Sequence, residues 1–227
     1  AVPPPPPPPE HRSLVAELDR LEHESPWWKA GFLRLAGTFS AEQRQAAAGA
    51  DMYVACTLRS RLPHFFAPEA AALQERFYTR FQVKGLHCWI CHARLRAEPK
   101  ESYALLYQEM MEKVWEQETL SLAKEQGFGF LQVSKFLKEM QLTWHGTVKA
   151  LDEAMAAETP EQQLAQMAGA LQRNLYHDED GEPIAAALAE PGAAWLARYT
   201  LAQVAHMQTL EGEDVLAGRV SWADDDG

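Results

Sequence analysis

Cysteine is scarce in this chain: Cys56, Cys88 and Cys91 are the only three in 227 residues. Three thiols cannot build a disulfide framework, and a chain of this length can bury a core without one, so the composition points to a reducing compartment. No apolar run approaches the eighteen or so residues that a membrane-spanning helix needs. The apolar–polar alternation of half-buried strands is nearly absent, and glycine and proline gather at segment ends. There is no phosphate-cradling glycine loop, no G-x-G-x-x-G and no G-x-S-x-G. No spacing pairs a nucleophile with a base, which places hydrolase and transferase readings last. No repeat of solenoid length is present. No secretory signal is evident at the N-terminus, and an opening Ala1-Val2 without Met is expected of a chain that has lost a targeting segment.

What remains is the composition of a globular helical protein, 47% hydrophobic and 23% charged. Pro3 to Pro9 must be polyproline II, an extended arm. Ser13 caps a helix expected to bury Leu14, Leu18 and Leu21. A short apolar helix follows Ser25-Pro26; its adjacent Trp27 and Trp28 cannot both face one core, so one is expected against a neighbouring element or a partner, with an interfacial membrane anchor as the second alternative. Ser40 and Gln43 read as a capping box opening a helix to about Arg61. After His64-Phe65-Phe66 a further helix is expected from near Glu69. The central segment follows, with Phe77, Phe81, Leu86 and Trp89 roughly on one face, Gly85 as a point of weakness, and an end near Ala97 ahead of Pro99. Four long amphipathic helices complete the chain, over 101–126, 130–157, 160–175 and 191–210. The fold class is all-α: a single bundle of seven to nine helices behind a proline-rich N-terminal arm.

The net charge of −11 is uneven. Arg59 to Lys100 carries eight Lys or Arg against three acids, a local +5, and leaves −16 on the remainder. This island, with Arg59, Arg61, Arg76, Arg80, Lys84 and Lys100, reads either as a docking face for an acidic partner, RNA or anionic lipid, or as the solvated faces of two helices. The acidic remainder argues against a protein that coats nucleic acid, and no sequence-specific nucleic-acid contact is expected.

Chemistry concentrates between Glu75 and Arg96. Cys88-Trp89-Ile90-Cys91-His92 fits the C-x-x-C-H pattern of covalent haem attachment. Cys88 and Cys91 with one histidine give at most three zinc ligands, and a dithiol redox pair lacks a strand context. Against these stands plain packing: buried thiols as small apolar fillers around Trp89 and Ile90. No resident cofactor or metal is expected. Asp152 and Glu153 lack the Glu-x-x-His partners of a two-metal bundle site, and Asp152 is read as a cap or bridge between helices. The segment His177 to Glu182 lacks the ligand spacing of a calcium loop and reads as solvated.

The run Leu86-His87-Cys88-Trp89-Ile90-Cys91-His92-Ala93-Arg94-Leu95-Arg96 resembles the "leucine, histidine, any, tryptophan … arginine, leucine, arginine" helix of the ubiquinol–cytochrome c chaperone family. Trp115-Glu116 is similar to the family's tryptophan followed by acids. Gly146 with Lys149 to Glu153, then Ala170 to Leu175, then Tyr199 and Gly218 to Trp222, resemble its later segments in order. The likeness runs from about Ala50 to Trp222. Glu75-Arg76-Phe77 and Arg80-Phe81 depart from the family's usual entry to this helix, Leu151 replaces a tyrosine, and Gln172 replaces a tryptophan.

The resemblance implies a non-catalytic assembly factor that holds newly made cytochrome b, with a small helical partner protein, during assembly of the mitochondrial bc1 complex (respiratory complex III). The implied place is the mitochondrial matrix, peripheral to the inner membrane, with the mitochondrial ribosome or a respiratory complex nearby. An apolar client would need aromatic and methionine side chains, for which Phe77, Phe81, Leu86, His87, Trp89, Arg94, Arg96, Tyr103, Tyr107, Met110 and Met111 are the candidates, although the same residues could simply form the core. The expected organisation is an arm over 1–12, a helical extension over 13–43, the chaperone-like domain over 44–222 and an acidic tail over 223–227. The alternatives are a structural accessory subunit of a large mitochondrial respiratory or ribosomal complex and, behind it, a haem protein through Cys88, Cys91 and His92.

Overall fold

The architecture follows from a computed structural model, which describes residues 13–177 and 182–223. The proline run, the centre of the 177–182 loop and the acidic tail Asp224 to Asp226 lie outside the described residues. Nine α-helices are present among those described: α1 (Leu14–Glu24), α2 (Trp27–Leu35), α3 (Ala41–Ser60), α4 (Phe77–Leu95), α5 (Lys100–Lys124), α6 (Phe130–Met155), α7 (Pro160–Leu175), α8 (Ala186–Gln208) and α9 (Gly212–Leu216). The expected all-α bundle is the observed one. A 3-10 turn spans Pro63–Phe65, and His177 and Pro183 form an isolated antiparallel bridge.

Helix α4 is the hub. It packs against α3, α5, α6, α7, α8 and α9. Thirteen of its residues are buried, a run from Phe81 to Cys91 broken only at Lys84 among them. A helix that is buried nearly all round belongs at the centre of a layered structure, because only there can every face meet another apolar face. Helices α3 and α5 lie on one side of it; α6, α7 and α8 stack in series on another, with α6 on α7 and α7 on α8.

Two glycines permit this packing. A Cβ at Gly85 would lie 2.7 Å from Cζ3 of Trp144 on α6, so the bare backbone is the seat of that indole. Helix α4 therefore runs unbroken through Gly85. The flexibility read from the sequence is overridden by burial on both sides of the residue. Gly49 plays the same part between α3 and α5, where a Cβ would clash with the Leu106 carbonyl.

Several local expectations are corrected. Helix α1 buries Val15, and Leu14 is 47% exposed. The cause is Asp51 on α3, which accepts from Ser13 Oγ (2.7 Å), Leu14 N–H (2.8 Å) and Val15 N–H (3.1 Å) and so fixes the rotation of α1. Ser40 does cap α3, accepting from the Gln43 N–H at 3.3 Å, but its own N–H donates to the Gly37 carbonyl. The side-chain return lies instead at α6, where Gln132 Oε1 accepts from the Gly129 N–H at 3.0 Å. No helix starts at Glu69. The chain turns there, with Ala72 in the left-handed region (φ 52°). The Tyr176 hydroxyl takes the Ala71 carbonyl at 2.7 Å, and the Leu73 N–H donates to the Phe65 carbonyl. Tertiary partners thus hold the backbone groups that a helix would have used. The last long helix begins at Ala186, upstream of Pro191, which it carries inside. Neither Trp27 nor Trp28 is packed: they are 86% and 63% exposed.

Candidate functional site

The signature segment holds a buried hydrogen-bonded chain. Arg59 Nε donates to the Tyr199 hydroxyl (3.0 Å), and that hydroxyl lies 2.8 Å from His87 Nε2. His87 Nδ1 lies 2.7 Å from the Val83 carbonyl, four residues back on the same helix. A carbonyl can only accept, so Nδ1 carries the proton and Nε2 accepts from Tyr199. Phe65 and Trp222 pack edge-on against the imidazole. Burial pushes the His87 pKa down to about 3; the Val83 carbonyl opposes the shift, and the nearby charges of Arg59 and His64 reinforce it. This histidine is therefore a neutral structural bridge from α4 to α8, with Arg59 extending the bridge to the Ala223 carbonyl (3.0 Å).

A pH dependence follows. His87 binds a proton near pH 6.5 when unfolded and only near pH 3 when folded, so its contribution to stability is complete above 6.5 and is lost as pH falls below it. His92, stacked on Tyr107 with ring centroids 3.9 Å apart, is pushed down to about 4 by burial and by the Arg96 charge and adds to the same slope. Between pH 6.5 and 4 the free energy of unfolding should fall by up to about 1.4 kcal/mol per pH unit through His87 and by less through the half-buried His92, which solvent screens. Urea titrations across that range measure the slope, and His87→Gln should remove more than half of it.

Asp152 joins α4 to α6. It accepts from Trp89 Nε1 (2.9 Å) and from both terminal nitrogens of Arg96 (2.9 and 2.8 Å). Burial would raise this carboxyl, but the Arg96 and Trp89 hydrogen bonds hold it below the usual range. The bridging role expected of Asp152 is the one observed. Arg94 ties the end of α4 to Glu98 (2.7 Å) and to the Leu210 carbonyl (2.9 Å).

The three thiols meet inside the core. Cys56, Cys88 and Cys91 are free and fully buried, with Cys56 Sγ 3.5 Å from Cys91 Sγ. Burial pushes the Cys56 thiol up, away from the reactive thiolate. Cys88 and Cys91 are thus packed as apolar fillers, with no surface to offer a porphyrin edge, and His92 lies against Tyr107. Among the described residues no three His, Cys, Asp or Glu side chains are grouped to hold a metal ion.

The remaining candidates divide by depth. Phe81, Leu86, His87, Trp89, Arg94 and Met110 are buried, Phe77, Tyr103, Tyr107 and Met111 are half-buried, and Arg96 is exposed. Phe77 stands apart because it walls two cavities at the end of the bundle where α4 begins and α5 ends. The first, ≈ 490 Å³, is the more polar of the two, with Arg61, Arg80, Lys84, Glu75, Glu118 and Glu125 on its walls. Lys84 Nζ lies 2.7 Å from Glu118, and Arg80 lies 3.4 Å from Glu125 and 3.7 Å from Glu75. Within the basic island Arg80 and Lys84 are therefore met by carboxylates, with Glu118 on α5 and Glu125 just past its end among them. Arg61 and Lys100 remain exposed. Arg76 lines the second cavity, ≈ 520 Å³, whose other walls are mostly apolar: Phe77, Tyr78, Leu122, Phe128, Phe136 and Met140 among them.

In the first turn of α6, the helix whose later turns wall this second cavity, Phe130 and Leu131 are each 82% exposed. The sequence contained a signal for this lining that spacing alone did not reveal. Phe128 sits between Gly127 and Gly129, and Phe130 and Leu131 precede the buried stripe of α6 rather than continuing it. Large apolar residues outside a helical stripe are candidates for a surface with a purpose.

Comparison with known proteins places this frame. The profile of the ubiquinol-cytochrome C chaperone family matches residues 69–222, more than half of the chain. The chain belongs to that family. Ubiquinol-cytochrome-c reductase complex assembly factor 1 of Xenopus laevis is 27% identical over 173 residues, covering 75% of this chain and 78% of the relative. The crystal structure of the Cbp3 homologue from Brucella abortus superposes with a TM-score of 0.67 at 22% identity, covering 85% of this chain and 97% of that one, and so shares the fold. The matched region of this chaperone-family member contains α4, the whole lining of the apolar cavity and the Asp152 bridge, while the other cavity also draws on Ser60 to Ala67 upstream of it. The match excludes α1, α2 and α3.

Proposed function

We propose that this chain is a non-catalytic assembly factor of the bc1 complex that receives newly made cytochrome b through the apolar cavity between α4, α5 and α6. The observation that carries the reading is that cavity, together with Phe130 and Leu131 left in water in the first turn of α6, the helix that forms one of its walls. Cytochrome b is a membrane protein whose helices expose apolar side chains before assembly. A chaperone for such a client needs an apolar recess bordered by further apolar surface, into which a few side chains of one helix can dock. At ≈ 520 Å³ the recess suits a few side chains and not a whole helix. Phe77, Tyr78, Phe128, Phe136 and Met140 provide adaptable contact there, and the neighbouring polar cavity offers charges for the hydrophilic end of the client. Leu86, His87, Trp89 and Met110 act from beneath, by fixing α4. The site belongs to a chaperone domain over residues 44–222, working in the mitochondrial matrix beside the inner membrane with a small helical partner protein. No helix among the described residues is long and apolar enough to cross a membrane.

Native affinity purification from mitochondria with quantitative mass spectrometry tests this. Substoichiometric cytochrome b with one small partner is expected. Phe136→Asp, at a side chain already 38% exposed, should release cytochrome b, while loss of its stack on Phe128 (ring centroids 4.7 Å) lowers the thermal transition only modestly and the chain stays folded. One-to-one recovery with a whole mature complex overturns the proposal and makes the chain a structural accessory subunit.

A further inference from the structure

Helix α2 lies outside the family-matched region and touches the body lightly: α1 is its main neighbour, and Ala30 is its one buried residue. Its remaining surface inverts the usual pattern of a globular helix. Trp27, Trp28, Phe32 and Leu35 are 86%, 63%, 69% and 89% exposed. At 3.6 residues per turn, these four and Gly31 form one continuous arc of about 140° turned away from the protein. Its borders are both cationic: Lys29 follows Phe32 on one side, and Arg34 adjoins Trp27 on the other. No Asp or Glu occurs between Trp27 and Leu35. Arg34 also reaches Glu22 on α1 at 3.1 Å, which holds the helix with its apolar arc outward.

A soluble chain does not ordinarily leave four large apolar side chains contiguous in water, so the arc has an occupant. Its chemistry selects which one. Paired tryptophans with a phenylalanine and a leucine, edged on both sides by cations long enough to reach phosphate, are the composition of a helix lying in the headgroup plane of a bilayer. We propose that α2 is a membrane-surface anchor that inserts Trp27, Trp28, Phe32 and Leu35 below the headgroups while Lys29 and Arg34 contact lipid phosphates. The inference gives a surface to the peripheral location proposed above but does not depend on which client is bound.

The test uses the full 227-residue chain with vesicles of phosphatidylcholine containing a minority of phosphatidylglycerol, some with brominated acyl chains. The chain should float with the vesicles, and brominated lipid should quench its tryptophan emission. Trp27→Ser/Trp28→Ser should abolish most of the quenching, and Phe32→Glu should weaken partition about tenfold or more, with unchanged circular dichroism. A chain that stays in solution, or binding undiminished in these variants, overturns the proposal. So does a concentration-dependent dimer that Phe32→Glu dissolves, because the occupant would then be a second copy. Cytochrome b recovery from detergent-solubilised mitochondria by Phe32→Glu separates the two ideas: the cavity is intact in this variant, so loss of vesicle binding with cytochrome b retained affects only the anchor.

Discussion

Trp89→Ala should be the most damaging single substitution in the chaperone domain, lowering the free energy of unfolding by about 3–5 kcal/mol. Trp89 is fully buried at the middle of α4, the helix on which six others rest. Removing the indole takes away its transfer free energy and leaves a cavity that the close-packed core around α4 cannot fully collapse into. It also deletes the Nε1 hydrogen bond to Asp152, one of the links between α4 and α6. Asp152 keeps both nitrogens of Arg96, so its charge is not stranded and the cavity term dominates. Trp89→Phe should consequently cost clearly less than Trp89→Ala, even though both remove the hydrogen bond. Urea unfolding of the pair separates the contributions. Equal losses would mean that the Asp152 bond, and not the packing, matters most. A loss of this size is a large share of the 5–15 kcal/mol typical of a domain, so low accumulation in cells is also expected.

The second large effect lies at Lys84, the polar break in the buried run of α4. Its side chain is 12% exposed and that of Glu118 is 4%, with 2.7 Å between the charged atoms. Lys84→Met removes the cation and leaves a carboxylate in a site that excludes most water. Breaking such a pair from one side typically costs about 3–5 kcal/mol, and because the polar cavity brings some water to the pair, the lower end, about 3 kcal/mol, is expected. The Lys84→Met/Glu118→Leu double variant should recover most of that loss, since two apolar groups of similar volume need no desolvation compensation. Denaturant midpoints of the three proteins complete the cycle. A double variant as unstable as Lys84→Met would show that the ammonium over the Tyr53 ring, 5.9 Å from its centroid, and not the pairing with Glu118, is what matters.

The Lys84 pair also shows why charge counted along the chain misleads. The +5 between Arg59 and Lys100 is a fact of sequence, yet Glu118 on α5 and Glu125 just past its end, both outside that stretch, lie against Lys84 and Arg80 in space. Arg59 is turned onto Tyr199, 140 residues away. Coulomb attraction acts over ångströms between side chains, so the sign of a surface patch is settled only once the helices have docked.

The sequence by itself determined the class, the number and order of the long helices, and the importance of the segment around Trp89. Those properties are local: helical spacing of apolar residues, a serine or threonine cap, a proline stop. It also carried the ordered motifs that the family match confirms. The tertiary structure decided three things. It decided that Gly85 is a seat for Trp144 and not a hinge, because the partner that makes a close approach necessary lies on another helix. It decided that the cysteines are fillers, because burial of a thiol depends on neighbours from α3 as well as α4. It decided which apolar residues stay in water. Helical periodicity marks a face as apolar but cannot say whether another element covers it, and so the core stripe of α4 and the bare arc of α2 look alike until the chain is folded.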